Sequence, residues 1–473
     1  MEMAAPQPIP IRTDLVFRPA PVDHATSNGS PRNSAVYQSR HKHTRSSYSE
    51  SSPLTAISRN NSLSFRPLKR ATPTPDKTIA VINASGRQAA SLIRIATAIG
   101  YKVRAQLRNL EGVIATEVST NPNVTCFVGE LYLRKTAGDN RDVTVGTHIP
   151  GIAVNHDLIN QLFSGAHLAF INTTFYGNET AIGEAIADAA KKAQVQHFIY
   201  SSMPDHAAYN PEWPSPPLWA AKHKIEQYIR KIDLPATFVY TGIYNNNFTS
   251  LIYPMFCMEL QKDGSFEWRA PFHPDAKLPW LDAEHDVGPA IIQLFKDGPK
   301  KWNGKRIALA YEYLTPIEVC EAFEKGLDRP VHYKRGPIEV KVKIPEGYAE
   351  QLKALGQLFS WENPDAKKQP PYFGDMEIER TVPEGALGLW EGPRGLEEYA
   401  GEIFPLEEEA NGMTWMFDDE EQGEHEAGYR TAEADLGTAP APIPEASDED
   451  DDSSVDEGLV MRGLRRDEEA WLA

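Results

Sequence analysis

From Lys77 onward, short apolar runs rich in β-branched residues alternate with longer stretches whose apolar positions recur every three to four residues. The runs are TIAVINA, KVRAQLR, VTCFVGE, LAFINTT, QHFIYSSM and ATFVYTGIY. Helix-length segments such as residues 87–99 and 180–194 separate them. Strands that are apolar on both faces and joined by helical crossovers specify a parallel sheet with helices on both sides. The pattern therefore predicts an α/β fold with a doubly wound parallel sheet.

Two departures from the alternation divide the chain. Residues 133–156, containing KTAGDNRDVTVGTHIPG, read as a long surface loop between the third strand and its helix. After residue 310 the repeat ends, and TPIEVCEAFEKGL followed by EVKVKIPEGYAEQLKALGQLFSW predicts a smaller mixed α/β region over 311–417, packed on the open end of the sheet. Its last part, Trp390 to Trp415, is apolar enough to dock as a closing helix. The parallel-sheet domain accordingly spans 77–310.

Both ends read as disordered. Residues 1–76 are rich in Ser, Pro, Asn and Arg and lack apolar periodicity. Their composition also resembles a transit peptide, but prolines at 6, 8 and 10 oppose an amphipathic helix there. Residues 418–473 are acidic and rich in Pro and Ala, with Ser453 and Ser454 ahead of acidic positions that suit a kinase. The formal charge of the 473-residue chain is -18, which opposes broad contact with nucleic-acid phosphates and suits a small molecule or a basic protein. No run of 18 apolar residues is present to cross a membrane. Cys126, Cys257 and Cys320 are too scattered for a disulfide framework or a metal site and fit a reducing compartment.

The stretch TIAVINASGRQAAS reads as a strand, a tight turn and a helix start, the arrangement of a Rossmann-type dinucleotide turn. Asn83, Gly86 and Ala89 stand where such turns carry glycine. Asn tolerates a left-handed backbone and Ala is the next smallest side chain, so the turn can still form. Ala84 and Ser85 complete it, and Arg87 and Gln88 add donors beside the phosphates. Arg108 ends the second strand, followed by Asn109 and Leu110. An Arg there accommodates a 2′-phosphate, which allows NADP without excluding NAD. Gly129 after the third strand, Asn172, Thr173 and Thr174 after the fourth, and Tyr244, Asn245, Asn246 and Asn247 after the sixth line the same crevice.

A glycine-poor turn, a strand ending IYSSM and a Lys about 20 residues later together resemble the short-chain dehydrogenase/reductase superfamily. Those enzymes place a proton-donating Tyr one helical turn before the Lys, with a Ser to orient substrate. Lys222 is present and Ser201 or Ser202 can serve, but the residue four before Lys222 is Leu218, which has no proton to give. A reductase would need a substitute such as Tyr209. Lys222 is otherwise a ligand of the cofactor ribose.

Finally, NASGRQAASLIR, SSMPDH, GIYNNNFTS and LPWLDAEHDVGPAIIQLFKDGPKKWNG closely resemble fungal nitrogen metabolite repression regulators of the NmrA type, from Lys77 to about Phe417. The resemblance implies a dehydrogenase-like fold that binds the oxidised forms of NAD and NADP without turnover. It also implies a nuclear and cytoplasmic monomer that represses nitrogen-catabolic genes by binding the zinc finger of a GATA-type activator, with no direct contact to nucleic acid. The family's cofactor positions fall on Asn83, Gly86, Arg87, Gln88, Arg108, Lys222 and Asn245 to Asn247. Its finger-contacting positions fall on Glu284, Asp286, Gln293 and Phe295. Acid and apolar surface suit a finger made basic by its own task of binding phosphate.

Overall fold

A computed structural model describes residues 75–134, 152–342, 344 and 346–417. The expected disordered arm up to residue 74, the tail from 418 and the middle of the 133–156 loop lie outside the described residues. All described residues belong to one compact unit.

Seven parallel strands form the central sheet: β1 (Thr78–Val81), β2 (Lys102–Leu107), β3 (Val124–Val128), β4 (Leu168–Ile171), β5 (His197–Ser202), β6 (Ala236–Thr241) and β7 (Arg306–Leu309). Their order is β7-β6-β5-β4-β1-β2-β3. Strand order reverses between β1 and β4, and in such sheets ligands bind outside the carboxyl ends at that reversal. Six of the strands coincide with the six apolar runs. The seventh, at the sheet edge, has no counterpart among those runs because RIAL is too short to show a period.

The helices divide between the two faces as the residue alternation requires. Ile79 and Val81 of β1 enter one core with α1 (Arg87–Ala98), α2 (Val113–Thr120) and α6 (Ala283–Asp297). Ala80 and Ile82 enter the other core with α3 (His156–Phe163), α4 (Glu179–Lys192) and α5 (Pro217–Lys231). Asn155, Asn178 and Asp282 cap α3, α4 and α6 with their side chains. α1 and α6 approach so closely that a Cβ on Gly288 would lie 2.4 Å from the Ser91 carbonyl oxygen. That contact fixes the start of α6 beside the start of α1.

Three expectations change in detail. Tyr132–Arg134 pairs antiparallel with Ile152–Val154, so the ends of the 133–156 loop form a hairpin instead of irregular surface. The expected closing helix is three short elements, α9 (Leu396–Glu402), α10 (Phe404–Ala410) and a 3-10 turn at Trp415–Phe417. Pro405 cannot continue a helix begun at Leu396, so the axis breaks there. Lastly, Phe266–Ala270 pairs in parallel with Val331–Arg335, so the smaller mixed region draws strands from both sides of residue 310. The remaining two long helices, α7 (Pro316–Leu327) and α8 (Glu346–Phe359), cover it.

Two fully buried histidines carry a pH signature. His197 shares a 2.8 Å hydrogen bond with Thr237 Oγ1, and His206 Nε2 lies 2.9 Å from the Pro371 carbonyl oxygen. Burial pushes both rings down to about 4 from 6.5. The unfolded chain takes up these protons below pH 6.5, whereas the folded chain does so only near 4. Stability present above pH 6.5 is therefore lost as pH falls through that window, by roughly 3 kcal/mol or less per ring. Melting temperatures measured between pH 6.5 and 4.5 are expected to fall more steeply for the parent than for His206→Gln. Equal slopes would contradict a ring held neutral by the fold.

Candidate dinucleotide and partner site

The turn after β1 is built by its neighbours. Asn83 has φ 48°, in the left-handed region. Its backbone N–H donates to Gln106 Oε1 at 2.9 Å, and its side-chain Nδ2 donates to the Asn172 carbonyl at 2.8 Å. Gly86 closes the turn by donating to the Asn83 carbonyl at 2.9 Å. No side chain caps α1 at Gly86, which leaves the helix start as the donor end an anion needs. Ala84 and Ala89 are fully buried beneath it.

Beside the turn lies a shallow open cleft. Asn83, Arg108, Thr173 and Thr174 line it, as do Gln106, Glu130, Tyr132 and Tyr176, which the sequence did not single out. Arg108 is exposed at its edge, Asn109 and Leu110 are exposed after it, and the Arg108 guanidinium lies 5.2 Å from the centre of the Tyr176 ring. Gly129 is held by Gln106, whose Nε2 donates to its carbonyl at 2.7 Å. Gln106 thus braces two of the expected loops at once. An interior polar residue on β2 was the available signal.

Deeper in, Lys222 is almost wholly buried. Its ammonium lies 3.1 Å from Asn172 Oδ1, 3.3 Å from Thr173 Oγ1 and 3.3 Å from Glu179 Oε1, and it also donates to the Thr173 carbonyl. Burial raises the Glu179 pKa, while Lys222 and Thr173 oppose that shift. Lys222 therefore holds the Asn172–Thr173 loop on which the turn at Asn83 rests.

The position four residues before Lys222, where the resemblance leads one to expect a proton donor, is packed. Leu218 is completely buried, and its backbone N–H donates to Gln351 Oε1 of α8 at 3.0 Å. Trp219, Tyr348, Phe359, Tyr372 and Phe373 share its core. Ser202 Oγ donates to buried Glu226 at 2.9 Å, and Tyr209 Oη accepts from Arg306 at 3.1 Å. Neither contact is with Lys222.

The Asn run forms a 3-10 turn in which Asn245, Asn246 and Asn247 are all buried. Gln88 Nε2 donates to Tyr244 Oη at its base. Asn246 Oδ1 accepts from the Ala283 N–H at 2.9 Å, and its Nδ2 donates to Glu407 of α10 at 3.3 Å. Both polar atoms of Asn245 and of Asn247 are without a hydrogen-bond partner among the described residues.

Helix α6 brings the four expected partner residues to different depths. Glu284, 30% exposed in its side chain, accepts from Arg87 at 2.5 Å. Gln293 is half-buried and donates to Asp297 at 2.8 Å. Asp286 is 0% exposed, paired with His285 Nδ1 at 2.6 Å, and burial pushes its carboxyl up to about 6. Phe295 is 5% exposed and packs edge-on against His197. The last two shape the surface from beneath instead of projecting from it. Among the described residues, no group of three His, Cys, Asp or Glu side chains is gathered to hold a metal ion. No helix among them is long and apolar enough to cross a membrane.

The sequence profile of the NmrA-like family matches residues 75–400. The chain belongs to the NmrA-like family. It is similar to the nitrogen metabolite repression protein nmr of Neurospora crassa, at 61% identity over 98% of this chain and 100% of that one. Its identity to the nitrogen metabolite repression protein nmrA of Emericella nidulans is 51%, over 72% of this chain and 98% of that protein. Solved structures of NmrA, a negative transcriptional regulator, in complex with NAD and with NADP share 54% sequence identity with it. Each superposes with a TM-score of 0.64 over 72% of this chain and 99% of its own. The NmrA-like match takes in the turn, the cleft and α6, and ends just before α10.

Proposed function

We propose that this chain is a non-catalytic, dinucleotide-binding negative regulator of nitrogen metabolism that acts by binding the zinc finger of a GATA-type activator. One observation carries the reading: a preserved dinucleotide turn stands beside a proton-donor position occupied by Leu218 and sealed by Gln351. An enzyme needs a general acid within hydrogen-bond reach of its substrate, and here that place is apolar and packed. The names of the relatives, nitrogen metabolite repression proteins, support the regulatory role.

The residues present fit a dinucleotide. The uncapped start of α1 suits the pyrophosphate, and the orphaned amides of Asn245 and Asn247 suit polar atoms at the other end of the ligand. Arg108 at the rim suits a 2′-phosphate, so NADP and NAD are both expected, in their oxidised forms. When bound, the dinucleotide supplies a redox state that differs by one charge at the nicotinamide ring. Lys222 supports the ribose end through Asn172 and Thr173.

For the partner, Glu284 and Gln293 offer the accessible polar contacts, and a basic finger complements them. The protein is expected to act as a monomer in nucleus and cytoplasm, without contacting nucleic acid itself. Calorimetric titration of the full chain with NAD, NADP, NADH, NADPH and a GATA zinc finger tests the reading. Binding of the oxidised dinucleotides and of the finger is expected, with no NADPH oxidation by the parent or by Leu218→Tyr. Substrate-dependent oxidation of NADPH that disappears in Tyr209→Phe would establish a reductase instead.

A further inference from the structure

The amino ends of β5, β6 and β7 carry a belt of positive charge, in a chain whose formal charge is -18. Contacts join its members into one surface. Lys191, near the end of α4, donates to the Ile232 carbonyl in the turn that leads into β6. Arg230, near the end of α5, donates to the Gly304 carbonyl at 2.9 Å in the turn that leads into β7, and the Gly304 N–H donates to the Ala236 carbonyl at 2.7 Å. Lys301 Nζ and Lys305 Nζ lie 4.7 Å and 5.1 Å from the centre of the half-buried Trp302 ring. Lys296, Lys300, Lys301 and Lys305 are all exposed.

Countercharge is scarce here. Asp297 serves Lys301 at 2.7 Å. Buried Glu226 accepts from Arg306 at 2.7 Å and from Arg230 at 3.0 Å and 2.9 Å, so one carboxylate answers two guanidinium groups. Lys296, Lys300 and Lys305 are in no ion pair among the described residues, and neither are Asp188 and Asp233 on the neighbouring helix ends. The negative ends of the α4 and α5 dipoles account for Lys191 and Arg230. Lys305 ends no helix, and Lys300 and Lys301 sit on the single helical turn Pro299–Trp302. Like charges gathered on one face raise the local potential and attract an anionic partner.

The chain itself holds such a partner. Residues 448–457, DEDDDSSVDE, place seven carboxylates within ten positions and include no cation. A stretch as long as 418–447 spans about 30 Å as a coil and about 100 Å when extended, enough to reach any side of a fold about 20 Å in radius of gyration. We propose that the acidic segment Asp448–Glu457 docks on this belt, against Lys296, Lys300, Lys301 and Lys305. The inference needs neither the dinucleotide nor the zinc-finger reading. The contact pairs exposed carboxylates with exposed ammonium groups, so it is reversible and sensitive to salt. Asp297 joins the belt to Gln293 of α6, so the docked segment brings negative charge to the edge of the surface proposed for a basic partner. Ser453 and Ser454 lie inside the segment, and phosphate on either would tighten it.

Carbodiimide coupling of the purified full chain, which joins a carboxylate to an amine in contact with it, tests the proposal when the joined peptides are identified by mass spectrometry. At low salt, coupling of 448–457 to the four belt lysines is expected to exceed coupling to the exposed Lys262, Lys353 and Lys367 roughly fivefold. The excess is expected to vanish near ~0.5 M NaCl, where screening acts within about 4 Å. In Lys300→Ser/Lys305→Ser the excess at Lys296 and Lys301 is expected to fall as well, because the attraction belongs to the group; a full excess there would overturn the inference. Coupling spread evenly over all exposed lysines of the parent would also overturn it. So would couplings found only between two chains, read from a mixture of 15N-labelled and unlabelled protein. A short DNA duplex that binds the full chain at physiological salt and protects the belt lysines would assign the belt to phosphates and remove the tail as its occupant.

Discussion

Replacing Lys222 by methionine is expected to lower the unfolding free energy by about 3–5 kcal/mol, the usual cost of stripping one partner from a buried ion pair. Both side chains of the Lys222–Glu179 pair are within a few per cent of complete burial. Methionine fills the volume but leaves Glu179 with Thr173 as its remaining hydrogen-bond partner among those described. Burial already raises the Glu179 pKa, and losing Lys222 raises it further. The folded variant then holds a proton that the unfolded chain releases above its ordinary value of 4.5. Its stability deficit should therefore grow as pH rises from 5 to 8. Urea unfolding at those two pH values checks the sign. The double variant Lys222→Met/Glu179→Gln is expected to recover much of the loss, because no unpaired charge remains. A deficit that is independent of pH and persists in the double variant would mean that Lys222 contributes by packing alone.

The second large effect is on ligand binding. Asn83→Leu is expected to weaken NAD and NADP binding by roughly 30- to 100-fold. The left-handed backbone at this position costs a branched residue about 1–2 kcal/mol. Loss of the amide hydrogen bond to the Asn172 carbonyl adds about 1 kcal/mol. Both penalties are relieved if the turn opens, which would carry the start of α1 away from the pyrophosphate. Asn83→Gly keeps the backbone conformation at no steric cost and should lose far less affinity. Calorimetry on the three proteins decides the matter. Parent-like binding by the leucine variant would show that the turn is not where the ligand sits.

Much of the candidate site was legible because its parts are local in sequence. The turn at Asn83 announced itself by a strand, three small or permissive residues and a helix start within fourteen positions. The residue that shares a helix face with Lys222 one turn earlier was equally readable as Leu218, since such residues lie four positions apart. Gln106, Glu179, Glu407 and Glu408 have no such short spacing to the residues they hold. Each acts through a partner far away in the chain: Gln106 on Asn83, Glu179 on Lys222, Glu407 on Asn246 and Glu408 on Ser250. Nothing in the spacing of a polar residue on a strand or a Glu on a short helix indicates such a partner.

The surface proposed for a partner shows the same division. In the sequence, AEHDVGPAIIQLF offers acid and apolar residues in one helix, and the resemblance implies contact by both kinds. Only the packing of α6 against α1 through Gly288 decides that Glu284 and Gln293 reach the surface while Asp286 and Phe295 turn inward.

The sequence by itself determined the alternating strands and helices, the doubly wound sheet, the strand–turn–helix at Asn83 and the Leu four residues before Lys222, because these depend on periodicity and short spacings that the backbone imposes locally. The tertiary structure alone decided that α8 seals the space beside Leu218, that α10 sets two carboxylates behind the Asn run, and that one Arg, Arg87, serves both Glu284 and Glu407. Those facts depend on which distant segments are buried against one another, and burial is a property of the whole chain.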